Sequence, residues 1–202
     1  MKYQDFRNKI ENPIFTLQEL KIKGLNISSV QLSRWKKRNY INTLKQGVYY
    51  FTDQKEAISR EEISFTIYQP SYISLRYALH HYNLIPDVVH GITAITTKKT
   101  NEFRNDFGYF SYKHIKPELF FGYTVRSNGS RKYLLAEPEK ALLDYFYLHS
   151  SDLETKDQIE QLRINEEVLA SVIDQDKLKQ YTDCFQVDKV RNSLQLLPDV
   201  NF

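Results

Sequence analysis

The chain is poor in the residues that most cofactor and metal chemistry needs. It has one cysteine, Cys184, which excludes an intramolecular disulfide and any Cys-rich zinc site and fits a reducing cytoplasm. Six glycines form no Walker-type or dinucleotide-binding loop. His80, His81 and His114 stand in no HExxH-like spacing, so no metal and no cofactor is expected. No apolar run approaches the eighteen residues of a membrane span, and the first residues lack the apolar core of a signal peptide. No membrane partner and a cytoplasmic location are therefore expected. Ser71 and Ser74 lack a nucleophile-elbow context and read as helix caps. Glu137, Glu139 and Asp144 read as acids that a helix N-terminus stabilises rather than as a catalytic pair. No catalytic residue is assigned.

What is present is unevenly distributed charge. Residues 1–55 hold 11 Lys+Arg against 4 Asp+Glu, a net +7. Residues 56–150 hold 11 against 10, a net +1, and residues 151–202 hold 6 against 11, a net −5. A positive N-terminal module suits phosphate, whereas the acidic end would resist DNA and suits solvent or a protein partner. Fifteen Tyr and twelve Phe promise an aromatic core.

The positive module has a readable order. Tyr3, Phe6 and Ile10 place a helix over 2–10. Thr16 caps a short helix through Lys23, and Gly24 and Asn26 supply a turn. Ser28 or Ser29 caps a basic helix in which Val30, Leu32 or Ser33, and Trp35 divide between core and groove faces. Strands over 40–44 and 48–51 follow, joined across Gly47. This is the order of a winged helix-turn-helix. On that reading Gln31 and Arg34 are the candidates for base contacts. Ser29, Lys36, Lys37, Arg38 and Lys45 are the candidates for phosphate contacts. Trp35 anchors the helix in the core. The competing reading is a winged helix that docks a protein; the +7 charge favours duplex DNA.

A boundary is expected at 52–60, dividing a domain of residues 1–55 from one of residues 56–202. In the second, a helix over 75–85 ends before Pro86. Strands are expected over 91–97, 107–115, 120–125 and 131–136, with an Asn-Gly type turn at 127–130. An almost wholly apolar helix opens at Pro138. Helical segments follow over 155–163, 166–173, 175–184 and 187–196. The class is α+β: a winged helix-turn-helix, then a mixed α/β domain with a helical C-terminal part.

Several motifs in this second part occur in one order: Pro70-Ser-Tyr-Ile-Ser-Leu-Arg-Tyr-Ala-Leu79, Leu84-Ile-Pro86, Thr93-Ala-Ile-Thr-Thr-Lys-Lys-Thr100, Phe107-Gly108 with Phe110, Tyr112, His114 and Ile115, and Leu135-Ala-Glu-Pro-Glu-Lys-Ala-Leu-Leu-Asp144. Together they resemble the AbiEi-type antitoxins of bacterial type IV toxin–antitoxin systems, over roughly residues 5–150. The resemblance implies a winged helix that binds inverted repeats in its own promoter and represses the operon. It implies a C-terminal domain that antagonises a nucleotidyltransferase toxin encoded alongside. Similar proteins also occur as transcriptional regulators with no evident toxin. Lys98, Lys99, Arg104, Lys113 and Lys116 are the candidates for the antitoxin surface, with solvated strand ends as the plain alternative.

Overall fold

The computed structural model describes residues 1–127, 131–198 and 200. The first helix, α1, is Tyr3–Arg7, shorter than expected, with Ile10 buried in the loop beyond it. A three-residue strand not expected from the sequence, β1 (Ile14–Thr16), leads directly into α2 (Leu17–Ile22). Thr16 ends one element and starts the next. Its hydroxyl accepts from the Glu19 N–H, and the Glu19 carboxylate accepts from the Thr16 N–H, a reciprocal cap. Gly24, at φ +68°, turns the chain toward α3 (Ser29–Lys37). Ser28 is the cap there, paired reciprocally with Gln31. Strands β2 (Ile41–Lys45) and β3 (Val48–Phe51) form a hairpin over Gly47, whose φ of +82° a side chain would strain. The antiparallel sheet has the order β1-β3-β2.

Phe6, Phe15, Leu20, Leu32, Trp35, Ile41 and Phe51 make a small core under this sheet. Phe6 stacks on Trp35 with ring centroids 4.8 Å apart. The other face of the sheet is buried as well. Ile14, Leu44, Val48 and Tyr50 pack into the larger core of the following residues.

A 3-10 segment, Thr52–Ala57, crosses the expected boundary. Then come α4 (Arg60–Ile67), β4 (Ser71–Ile73) and α5 (Leu75–His81). Neither α4 nor β4 was expected. Strands β5 (Ile92–Thr96), β6 (Asn101–Asn105), β7 (Gly108–His114), β8 (Tyr123–Ser127) and β9 (Lys132–Ala136) complete a six-stranded mixed sheet of order β6-β7-β5-β4-β9-β8. The pairs β5–β7 and β4–β9 are parallel, and the rest are antiparallel. Phe120 and Phe121 precede β8 rather than lying in it. The expected 127–130 turn falls at 128–130 outside the described residues.

Ser71 is not a cap but a buried strand residue, and Ser74 precedes α5 without capping it. Helix α6 (Pro138–Leu148) lies in the core and is followed by α7 (Lys156–Glu160), α8 (Glu166–Val172), α9 (Gln175–Phe185) and α10 (Asp188–Leu194), of which α9 and α10 pack against it. The fold is mixed α+β with a helical C-terminal region. Among the described residues no helix is long and apolar enough to cross a membrane.

Candidate nucleic-acid interface

Helix α3 divides cleanly by side. Leu32 and Trp35 face the core, so at 100° per residue Val30, Ser33, Arg34 and Lys37 fall on the opposite side. All four are exposed, and Val30 keeps 57% of its surface in contact with solvent. Lys36 and Ser29 flank this face on the side of the β2–β3 hairpin. An open groove of about 530 Å³ separates helix from hairpin, lined by Ser29, Ser33, Lys36, Lys37, Gln46 and Tyr49 among others. Between Ser28 and Arg38 there is no acidic residue. Among the described residues Arg34, Lys36, Lys37 and Arg38 enter no salt bridge. Cations in the last turn also oppose the negative end of the helix dipole. Their charge therefore serves helix stability while remaining open to a ligand.

Two expected members do not share this face. Gln31 is committed to the cap: its Oε1 accepts from the Ser28 N–H at 3.3 Å and its Nε2 donates to the Met1 carbonyl at 3.0 Å. A glutamine held at both ends of its amide is not poised to read a base. Lys45 points away from α3. Its Nζ donates to the Ile67 carbonyl at 2.7 Å and lies over the rings of Phe103 and Tyr68. Burial, reinforced by the nearby Lys98 charge, lowers its pKa. Sequence reasoning passed over Val30 and Ser33 as contacts. The signal was available: once Trp35 is fixed as core, residues five and two positions earlier must face out.

The five cations of the second part are not one patch. Lys98 and Lys99 lie in the turn after β5, at the end of the sheet where Thr96 pairs with His114. Lys113 and Lys116 belong to this end as well. Arg104 pairs with Tyr109, five residues further along β7, and its guanidinium lies over the Tyr109 ring. At about 3.3 Å per residue this is roughly 16 Å of separation along the strand. All five side chains are exposed.

The two parts of the chain are tied together by polar contacts. The Arg131 Nη2 donates to Glu19 Oε1 and to the Ile14 carbonyl, both at 2.8 Å. The Asp106 carboxylate accepts from the Tyr50 hydroxyl at 2.9 Å and from Asn42 Nδ2 at 2.7 Å. Asn105 Nδ2 donates to the Leu44 carbonyl. Burial and the Asp106 bond push the Tyr50 pKa up to about 12. The outward face of α3 is thus carried on a hairpin braced from behind.

Glu137 and Glu139 stand at the N-terminus of α6 as expected, whereas Asp144 lies well inside the helix. Glu139 and Asp144 are buried, and each has a tertiary partner. Glu139 Oε1 accepts from the Asp174 N–H at 2.9 Å, and the Glu137 carboxylate accepts from the Tyr181 hydroxyl at 2.5 Å, joining α6 to α9. Asp144 pairs with Lys140 and accepts from the Tyr72 and Ser74 hydroxyls at 2.9 and 2.7 Å. Desolvation raises the Asp144 pKa and lowers that of Lys140, each effect opposed by the partner's charge. With Lys140 and Asp144 both wholly shielded from solvent, this cluster braces the core and has no substrate access. No protein-family model matches the chain, and no curated protein is significantly similar to it.

Proposed function

We propose that this chain is a DNA-binding transcriptional regulator in which residues 1–55 act as a winged helix-turn-helix. Helix α3 enters the major groove, and the β2–β3 hairpin follows the adjacent backbone as the wing. The observation that carries the reading is the outward face of α3, where Val30, Ser33, Arg34 and Lys37 are exposed beside Lys36 and Arg38. Arg34 suits a guanine edge, Val30 a thymine methyl, and the lysines the phosphates. The resemblance to AbiEi-type antitoxins supports a narrower form of the same proposal. The chain would repress its own operon through inverted repeats, and residues 56–202 would antagonise a nucleotidyltransferase toxin.

Band shifts with the full chain test the regulator. DNA from immediately upstream of its own gene should bind in preference to an unrelated duplex of equal length. Equal affinity for both, unaffected by Lys36→Ala/Lys37→Ala, is the result against it. For the antitoxin role, co-expression with a nucleotidyltransferase encoded beside it should restore growth. Failure of the full-length chain to do so confines it to regulation.

A further inference from the structure

Lys45 and Lys98, from opposite parts of the chain, converge on one aromatic ring. The Lys45 Nζ lies 5.6 Å from the Tyr68 ring centroid and the Lys98 Nζ lies 5.7 Å from it. The turn bearing Lys98 is held in place. Its N–H donates to Thr96 Oγ1 at 3.1 Å, and the Tyr68 hydroxyl donates to the Lys99 carbonyl at 2.8 Å. Both lysines line an open groove of about 550 Å³ whose other charged residues are Glu19 and Arg131. Those two neutralise each other in a 2.8 Å ion pair, so two ammonium charges are left over. Like charges so placed repel, and Lys98 contributes to the lowered pKa of Lys45. An ammonium has three donors, and Lys45 gives one to the Ile67 carbonyl. An anion between the two would accept the remaining donors and remove the repulsion.

The location selects the anion. The wing tip, Gln46 and Gly47, lines both this groove and the groove beside α3. A strand that crossed the wing tip from the α3 groove would enter the groove that holds Lys45 and Lys98. We propose that Lys45 and Lys98, set against Tyr68, form a phosphate-binding site that takes a DNA backbone phosphate flanking the half-site. This rests on the regulator reading and enlarges the DNA footprint beyond residues 1–55. Lys98, expected on an antitoxin surface, thereby belongs to the DNA face.

The test uses the full chain and labelled duplex from upstream of its own gene, in two lengths. One retains about one helical turn of flank beyond the half-site, roughly ten base pairs, and the other is trimmed to the half-site. ATP, titrated calorimetrically, serves as the free-nucleotide probe. Lys98→Gln should lower the slope of log K against log salt by about one unit on the long duplex and leave it unchanged on the trimmed one. Lys98→Arg should keep the wild-type slope. If Lys98→Gln leaves the long-duplex slope unchanged while Lys36→Ala/Lys37→Ala lowers it, this site alone is overturned. Loss of ATP binding in Lys98→Gln with an unchanged DNA slope gives the site to nucleotides and overturns the DNA source. A wild-type chain with no salt-dependent duplex affinity overturns both this site and the regulator reading.

Discussion

Lys140 and Asp144 stand one turn apart on α6 and form an ion pair to which solvent has no access. Tyr72 and Ser74 donate hydroxyl bonds to the same carboxylate, and the Lys140 Nζ donates to Tyr72 at 2.7 Å. Removing one member leaves a charge buried without its counter-ion. Lys140→Met should cost about 3–5 kcal/mol in urea unfolding. Adding Asp144→Leu should recover part of that loss, because the orphaned charge goes with it. A Lys140→Met chain as stable as wild type would show that the pair contributes nothing.

The two parts of the chain should unfold together. Trp35, the sole tryptophan, reports on the small core, while far-UV circular dichroism is dominated by the rest. Ile14, Leu44, Val48 and Tyr50 lie in the larger core, so neither part can open without exposing the other. Urea transitions by Trp35 fluorescence and by circular dichroism should coincide. A separate early fluorescence transition would mark residues 1–51 as an independent unit.

Alkaline pH should act through tyrosine. Burial is the chief cause of raised pKa values at Tyr50, Tyr72, Tyr77, Tyr112 and Tyr181, and that of Tyr50 reaches about 12. The folded chain thus holds these protons more tightly than the unfolded one. Their contribution to stability is complete below about pH 10 and is lost as pH rises through the folded values. Tyrosinate absorbance should lag behind free tyrosine and then rise together with unfolding. A single ionisation step near pH 10 with the fold intact would refute the burial assignment.

Base recognition should divide between two side chains one helical turn apart. Replacing the contacted thymine by deoxyuridine removes only a methyl group. It should weaken the wild-type chain and leave Val30→Ala unaffected. Arg34→Ala should cost about 1–3 kcal/mol and relax preference at one guanine. Uniform weakening on every sequence would instead make Arg34 a phosphate contact.

Much of this arrangement is legible before any coordinates. Helix starts at Thr16 and Ser28, the Gly47 hairpin and the apolar α6 follow from side-chain chemistry within a few residues. The strands β1, β4 and β6 are not legible in the same way. Ile14–Thr16 and Ser71–Ile73 are three residues long, too short for alternation to show, and exist because a neighbouring strand pairs with them. Asn101–Asn105 is an edge strand with few apolar residues. The same limit governs the site. Gln31 and Lys45 look like free polar groups along the chain; the Met1 carbonyl and the Ile67 carbonyl that engage them become visible only in three dimensions.

The central claim is that the outer face of α3 holds DNA, and the most direct measurement is the salt dependence of duplex binding by the full chain. Lys36→Ala/Lys37→Ala should lower the slope of log K against log salt by roughly two units, about 0.9 for each phosphate no longer neutralised, and weaken all sequences alike. A double variant with the wild-type slope and affinity would contradict the claim.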